Sequence, residues 1–212
     1  ITQSAVCARL VAAEVIDATG MKLVQAVGDL PYPLAGEWPL FVLLEVADGG
    51  GGDGFVAEVL EDRDVVVGLD AREIERLWEY RERQAEAFGT LGVIHKLDVS
   101  VPLLVLPACA DELHVLLSSS SSVSDFGNFG HVAYGKLHVE FAGPDEDDLS
   151  VDDAVLECVE RYGGLISAEQ GIGLVKVRQL VMLRSVGENA GVRVVKGARD
   201  PQGVMKQGVL FA

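Results

Sequence analysis

The chain has 212 residues, with 17 basic and 33 acidic side chains and a formal net charge of −16. Its 49% apolar and 24% charged residues are those of a globular protein long enough for one large domain or two small ones. Such an acidic balance argues against sequence-independent nucleic-acid binding and against docking on anionic lipid, since both need a basic face.

The longest nearly uncharged apolar run, residues 101–110, is half a membrane span and contains two prolines, so no transmembrane segment is expected. No signal peptide is visible, and a first residue Ile1 in place of Met suggests a fragment or a processed chain. Cys7, Cys109 and Cys158 are far apart and odd in number, with no CxxC. They read as reduced, mostly buried thiols of a cytoplasmic protein.

Residues 4–18 carry Val6, Leu10, Val11 and Ile16 near helical spacing, with Asp17 and Gly20 as the stop. Pro31, Pro33 and Pro39 mark an extended connector. Residues 40–46 (LFVLLEV) are too apolar for an edge and predict a central strand. The glycine cluster at residues 49–54 lacks both Gly-Lys-Ser/Thr and GxGxxG, so it reads as a surface loop rather than a phosphate cradle. Residues 65–67 read as a second short strand.

Residues 70–88 form an amphipathic helix capped by Asp70, with Ile74, Leu77, Trp78 and Ala85 on one face. The alternation in residues 96–102 (KLDVSVP) predicts a strand, followed by a helix after Pro102. Five serines at 118–122 predict a flexible turn. Residues 137–141 read as a strand, and an acidic stretch at 145–153 leads into a helix ending at Tyr162. Residues 163–173 are glycine-rich, and helices are expected over 175–183 and 188–198, the latter closed by Asp200-Pro201. With no regular βα series, this order points to an α+β fold: an antiparallel sheet with helices mainly on one face.

Two groupings bear on chemistry. His131 and His138 flank a short turn centred on Gly135, and Glu169 lies in a glycine-rich segment that lets backbone approach closely. Two imidazoles and a carboxylate are a typical open metal site, although histidines beside a turn are more often structural. Arg81 and Lys96 suit a carboxylate ligand if they converge on a cleft. As isolated residues they read as solvated surface cations. No GxSxG motif and no Cys/His pairing at nucleophile spacing supports a covalent hydrolase.

Six ordered segments carry a resemblance across nearly the whole chain: residues 41–46 (FVLLEV), 77–82 (LWEYRE), 96–102 (KLDVSVP), 129–138 (FGHVAYGKLH), 163–173 (GGLISAEQGIG) and 196–203 (KGARDPQG). Together they resemble the C-terminal domain of FAD-linked oxidases of the vanillyl-alcohol-oxidase type. The nearest pattern is that of the D-2-hydroxyglutarate and D-lactate dehydrogenases. The resemblance implies a ferredoxin-like α+β domain with a large antiparallel sheet, filling residues 1–212. It places the FAD-binding domain ahead of this one, outside the chain, so the chain alone is expected to be inactive and not to hold FAD tightly.

Carried over position by position, the resemblance assigns His131, His138 and Glu169 to a divalent metal, zinc or manganese. It assigns Arg81 and Lys96 to the carboxylates of a small 2-hydroxy acid. It implies oxidation of that acid to a 2-oxo acid by hydride transfer to FAD, with an electron acceptor that the motifs do not name. The chain's own FAD-binding domain is the implied partner, and a homodimer is left open. Three positions depart from the pattern. Gln170 stands where the family's proton-accepting histidine stands, Lys136 where an asparagine lies near flavin and substrate, and Tyr134 where an aspartate is usual. These departures support a second reading, a catalytically degenerate relative acting as a binding or assembly subunit.

Overall fold

The structure is a computed structural model that describes residues 10–47, 64–167 and 186–205. Five antiparallel strands form one sheet: β1 (Leu10–Asp17), β2 (Leu40–Val46), β3 (Ile94–Ser100), β4 (Asp125–His131) and β5 (Lys136–Ala142). Their order is β2-β1-β4-β5-β3. The described helices are α1 (Ala18–Gly28), α2 (Ala71–Glu82), α3 (Gln84–Gly89), α4 (Leu106–Ser119), α5 (Ser150–Arg161) and α6 (Val186–Arg199). This is the expected α+β class with an antiparallel sheet.

Strand alternation divides the sheet into two unlike faces. On one face Val15, Leu97, Val99, Leu137, Val139 and Phe141 pack with Cys109, Leu113 and Leu117 of α4 and Val155, Leu156 and Val159 of α5. On the other, Ile16, Phe41 and Phe129 pack with Met21 and Val24 of α1, Tyr80 of α2, and Ala87 and Phe88 of α3. Helices therefore cover both faces, not mainly one as the sequence pattern suggested. The strands between them must satisfy two cores.

That double burial explains two local departures from expectation. The region read as a helix over residues 4–18 is a strand from Leu10 and the start of α1, while residues 4–9 lie outside the described residues. Val15 and Ile16 point to opposite cores, so the strand lacks the alternation that would have marked it. Asp17 starts a helix instead of stopping one, because its carboxylate caps α1 by accepting from Gly20 N. The apolar strand β2 lies at the sheet edge rather than its centre, with Leu40 and Val42 exposed.

Residues 65–67 form no strand and are exposed. The amphipathic segment forms as expected with Asp70 accepting from Glu73 N, but it breaks at Arg83 into α2 and α3. Its buried anchor is Tyr80, not Ile74. The serine run divides between the end of α4 and a turn in which the Ser120 and Ser122 hydroxyls bond each other at 3.0 Å. The helix expected over 188–198 spans Val186–Arg199. The one expected over 175–183 lies outside the described residues, as does the 49–54 glycine cluster.

Cys109 and Cys158 are buried free thiols between α4 and α5, as expected for reduced cysteines. Burial, reinforced by Cys158, pushes the Cys109 thiol up to about 12. Cys7 is outside the described residues.

The β4–β5 connection is a single 3₁₀ turn, Val132–Tyr134, closed by Gly135 at φ 66°. Val101 N donates to Gly135 O at 2.8 Å, tying this turn to the end of β3. A Cβ on Gly135 would lie 2.1 Å from Val101 O. Gly135→Ala therefore meets both left-handed strain and a backbone clash, costing about 1–3 kcal/mol each. We expect a fall in the urea midpoint of unfolding, measured by circular dichroism; an unchanged midpoint would show that the turn is not tied down in this way.

Candidate active site

The face of the sheet beneath α1, α2 and α3 is not uniformly apolar. The register places Glu14 opposite His131, His138 opposite both Phe129 and Asp98, and Glu140 opposite Lys96. Directly paired residues project to the same side, so Glu14, His131, His138, Asp98, Glu140 and Lys96 form a polar band crossing β1, β4, β5 and β3. Glu14, Asp98 and Glu140 are 1%, 2% and 4% exposed. Buried carboxylates need partners, and here most of these are basic side chains.

Arg81 reaches the band from the last turn of α2. Two bonds fix that helix: Trp78 Nε1 donates to Glu45 of β2 at 2.9 Å, and Tyr80 Oη donates to Pro31 O at 2.5 Å. Trp78 and Arg81 are three residues apart on one helical face, so the Trp-x-x-Arg spacing anchors the helix with one residue and delivers a cation with the other. Arg81 Nε donates to Glu14 Oε2 at 2.6 Å, and its guanidinium carbon sits 4.9 Å from the Phe129 ring centroid. Among the described residues the terminal guanidinium nitrogens have no hydrogen-bond partner, so their N–H donors remain for a planar carboxylate.

His131 and His138 lie on the same face of the sheet, with ring centroids 6.5 Å apart and the Phe129 ring 4.9 Å from that of His138. Each presents Nδ1 toward a carboxylate: His131 to Glu14 at 2.5 Å and His138 to Asp98 at 3.8 Å. At His131 the Glu14 carboxylate calls for the proton on Nδ1, which would leave Nε2 as the ligating nitrogen, whereas Asp98 is too far from His138 for a hydrogen bond. The donor chemistry thus fits a divalent ion. Glu169 and Gln170 lie outside the described residues, and among those residues no group of three His, Cys, Asp or Glu is placed to hold a metal.

Lys96 lies on the same face but at the edge strand. Its Nζ stands 3.6 Å from Glu140 Oε2 and donates to Ala85 O at 3.4 Å. Lys136 opens β5, with Nζ 5.8 Å from the Tyr134 ring centroid. The structure therefore unites Arg81, His131 and His138 and leaves Lys96 paired at the margin.

Glu14, Phe129, Asp98 and Glu140 complete the site without having been singled out in the sequence. Glu14 has one sequence signal, a lone acid inside the apolar run VAAEVI. His95, by contrast, belongs to the opposite core, where it stacks on Phe141 and pairs with Asp152 at 2.7 Å.

This sheet, with its polar band, is a domain of the flavin-linked oxidase class. A family model for FAD linked oxidases, C-terminal domain, matches residues 2–210, and the chain belongs to that family. It is 28% identical over 207 residues to a D-2-hydroxyglutarate dehydrogenase of Stutzerimonas stutzeri, covering 87% of this chain and 43% of that protein. It is 31% identical over 208 residues to a mitochondrial D-2-hydroxyglutarate dehydrogenase of Bos taurus, covering 92% and 38%. A D-2-hydroxyglutarate dehydrogenase of Xanthomonas citri is 35% identical over 156 residues, covering 70% and 33%. The chain spans less than half the length of these relatives. No described helix is long and apolar enough to cross a membrane.

Burial pushes the Glu140 carboxyl above the usual range, and Lys96 offsets this only in part. Between the ordinary and the raised value the folded protein binds more protons than the unfolded chain. Stability from this group therefore rises as pH falls through that window, and the charged form costs stability above it. Glu140→Gln removes that cost. Its Tm should exceed that of the parent protein at pH 7.5, and the difference should shrink toward pH 4. A difference that grows on acidification would contradict the assignment.

Proposed function

We propose that this chain is the substrate- and metal-binding domain of an FAD-dependent D-2-hydroxyacid dehydrogenase, oxidising a 2-hydroxy acid to a 2-oxo acid. One observation carries the reading: an arginine whose terminal N–H groups bond none of the described residues reaches the same sheet face as two neighbouring imidazoles. That combination can hold a carboxylate and, beside it, the hydroxyl of the adjacent carbon. Arg81 grips the carboxylate bidentately. Lys96, released from Glu140, adds a second cation for the same anion or for a second carboxylate. His131 and His138, with Glu169, are the residues that would hold a zinc or manganese ion. When bound, that ion polarises the hydroxyl and FAD accepts the hydride.

The chain's own groups then set the rate. Gln170 stands beside Glu169 and cannot accept a proton near neutral pH, so turnover is expected to be slow. Lys136 brings a cation to the flavin side of the turn. A degenerate, binding-only subunit is the second reading that these two residues support. The relatives' names point to 2-hydroxyglutarate as the first acid to test. The FAD-binding domain is the partner expected to supply most flavin contacts. Cys109 and Cys158 are free thiols, in keeping with a reducing compartment. The cytoplasm is one such place, and the mitochondrial interior, for which the Bos taurus relative is named, is another.

Dye-coupled oxidation of D-2-hydroxyglutarate by the full-length protein tests the reading. Arg81→Ala should raise KM roughly ten- to a hundredfold, the loss of about 1.5–3 kcal/mol of charge-assisted bonding. His138→Ala should lower the bound metal, measured by plasma mass spectrometry. Metal binding without turnover would favour the binding-subunit reading. An unchanged KM together with unchanged metal content would remove the proposal. The purified 212-residue chain should show no flavin absorption band, and a stoichiometric band would overturn the division of labour between the two domains.

A further inference from the structure

Glu14 has the most constrained side chain on the polar face. It is 1% exposed, and its two carboxylate oxygens serve different partners. Oε2 accepts from Arg81 Nε at 2.6 Å, and Oε1 faces His131 Nδ1 at 2.5 Å. Its strand neighbour across β1–β4 is His131 itself, so the backbone register already sets one of the two contacts. The other comes from a residue 67 positions away, delivered by α2.

We infer that Glu14 is a positioning residue that couples the carboxylate grip to the imidazole pair, an inference that rests on the reading of Arg81 and His131 proposed above. The geometry gives it three tasks. It uses up Nε of Arg81, so that only the two terminal nitrogens, the ones suited to a bidentate contact, are presented to an anion. It fixes the tautomer of His131 with the proton on Nδ1, leaving Nε2 as the nitrogen that would ligate. Because one rigid carboxylate does both, the arginine and the imidazole are held at a set separation. The spacing between a bound carboxylate and a bound hydroxyl is then established before any ligand arrives. Neither lysine nor glutamine in place of these partners reproduces the arrangement. Glutamine at position 14 has one accepting oxygen for two donors and turns an N–H toward one of them.

The full-length protein provides the test, through zinc affinity measured by chelator competition and through KM for D-2-hydroxyglutarate. E14Q should weaken zinc about ten- to a hundredfold, the usual effect of losing a carboxylate behind a metal-bound histidine. It should also raise KM by about tenfold. In the E14Q background, R81A should raise KM by much less than it does alone, because the guanidinium is already unsteered. A merely structural role would make the two effects multiply. E14D, shorter by one methylene, keeps the buried charge. It should lose less Tm than E14Q while still losing one of the two contacts, so it replaces E14Q if that variant unfolds.

If R81A and H131A change KM and zinc affinity but folded E14Q and E14D leave both unchanged, the coupling role is overturned and the proposed function stands. If R81A and H131A also change nothing, the functional reading fails, and the role of Glu14 fails with it.

Discussion

Three carboxylates, Glu14, Asp98 and Glu140, are buried on one face of a sheet whose other face packs a mainly apolar core around the single His95–Asp152 pair. An unpaired charge there would be costly, and removing one partner from a buried pair typically destabilises by about 3–5 kcal/mol. The helices on that face therefore have to bring basic groups as well as apolar ones. α2 brings Arg81 to Glu14, while the sheet itself supplies His131, His138 and Lys96. The same requirement gathers two imidazoles and a guanidinium in one place. Giving the buried carboxylates their partners and assembling the polar face are one event.

The strengths of these pairings differ, and the difference sorts the cations by role. Arg81 is 12% exposed, holds a 2.6 Å bond to Glu14 and lies against Phe129, so it is fixed. Lys96 is 45% exposed at the side chain and 3.6 Å from Glu140, so it can move toward an anion at modest cost. Under the proposed function, Arg81 would be the fixed grip on a carboxylate and Lys96 the mobile one. His131, with its side chain 36% exposed, faces the open side of this arrangement.

Much of this was legible in the sequence where a pattern had a single cause. KLDVSVP alternates because Leu97 and Val99 face one core while Lys96 and Asp98 face the polar band. Asp70 reads as a cap because a capping carboxylate needs only local geometry. The pairing of His131 with His138 follows from a turn at Gly135 that brings the two side chains to the same side. The misreadings came where two demands overlapped. In β1 the two cores leave no alternation, and Glu14 was hidden inside what looked like a helix. β2 is as apolar as a central strand yet lies at an edge, and strand order is set by pairings distant in sequence. Glu14 owes its importance to an arginine 67 residues away, and no local signal announces that contact.

The central claim is that one carboxylate-bearing ligand meets Arg81 while its hydroxyl lies at the His131–His138 pair. Crystals of the full-length protein grown with zinc and D-2-hydroxyglutarate would test this by anomalous diffraction at the zinc edge. The account predicts an anomalous peak about 2.0–2.1 Å from a nitrogen of each imidazole, with a ligand carboxylate on the terminal nitrogens of Arg81. A zinc peak away from both histidines, or a ligand carboxylate bound elsewhere with Arg81 still held only by Glu14, would contradict it.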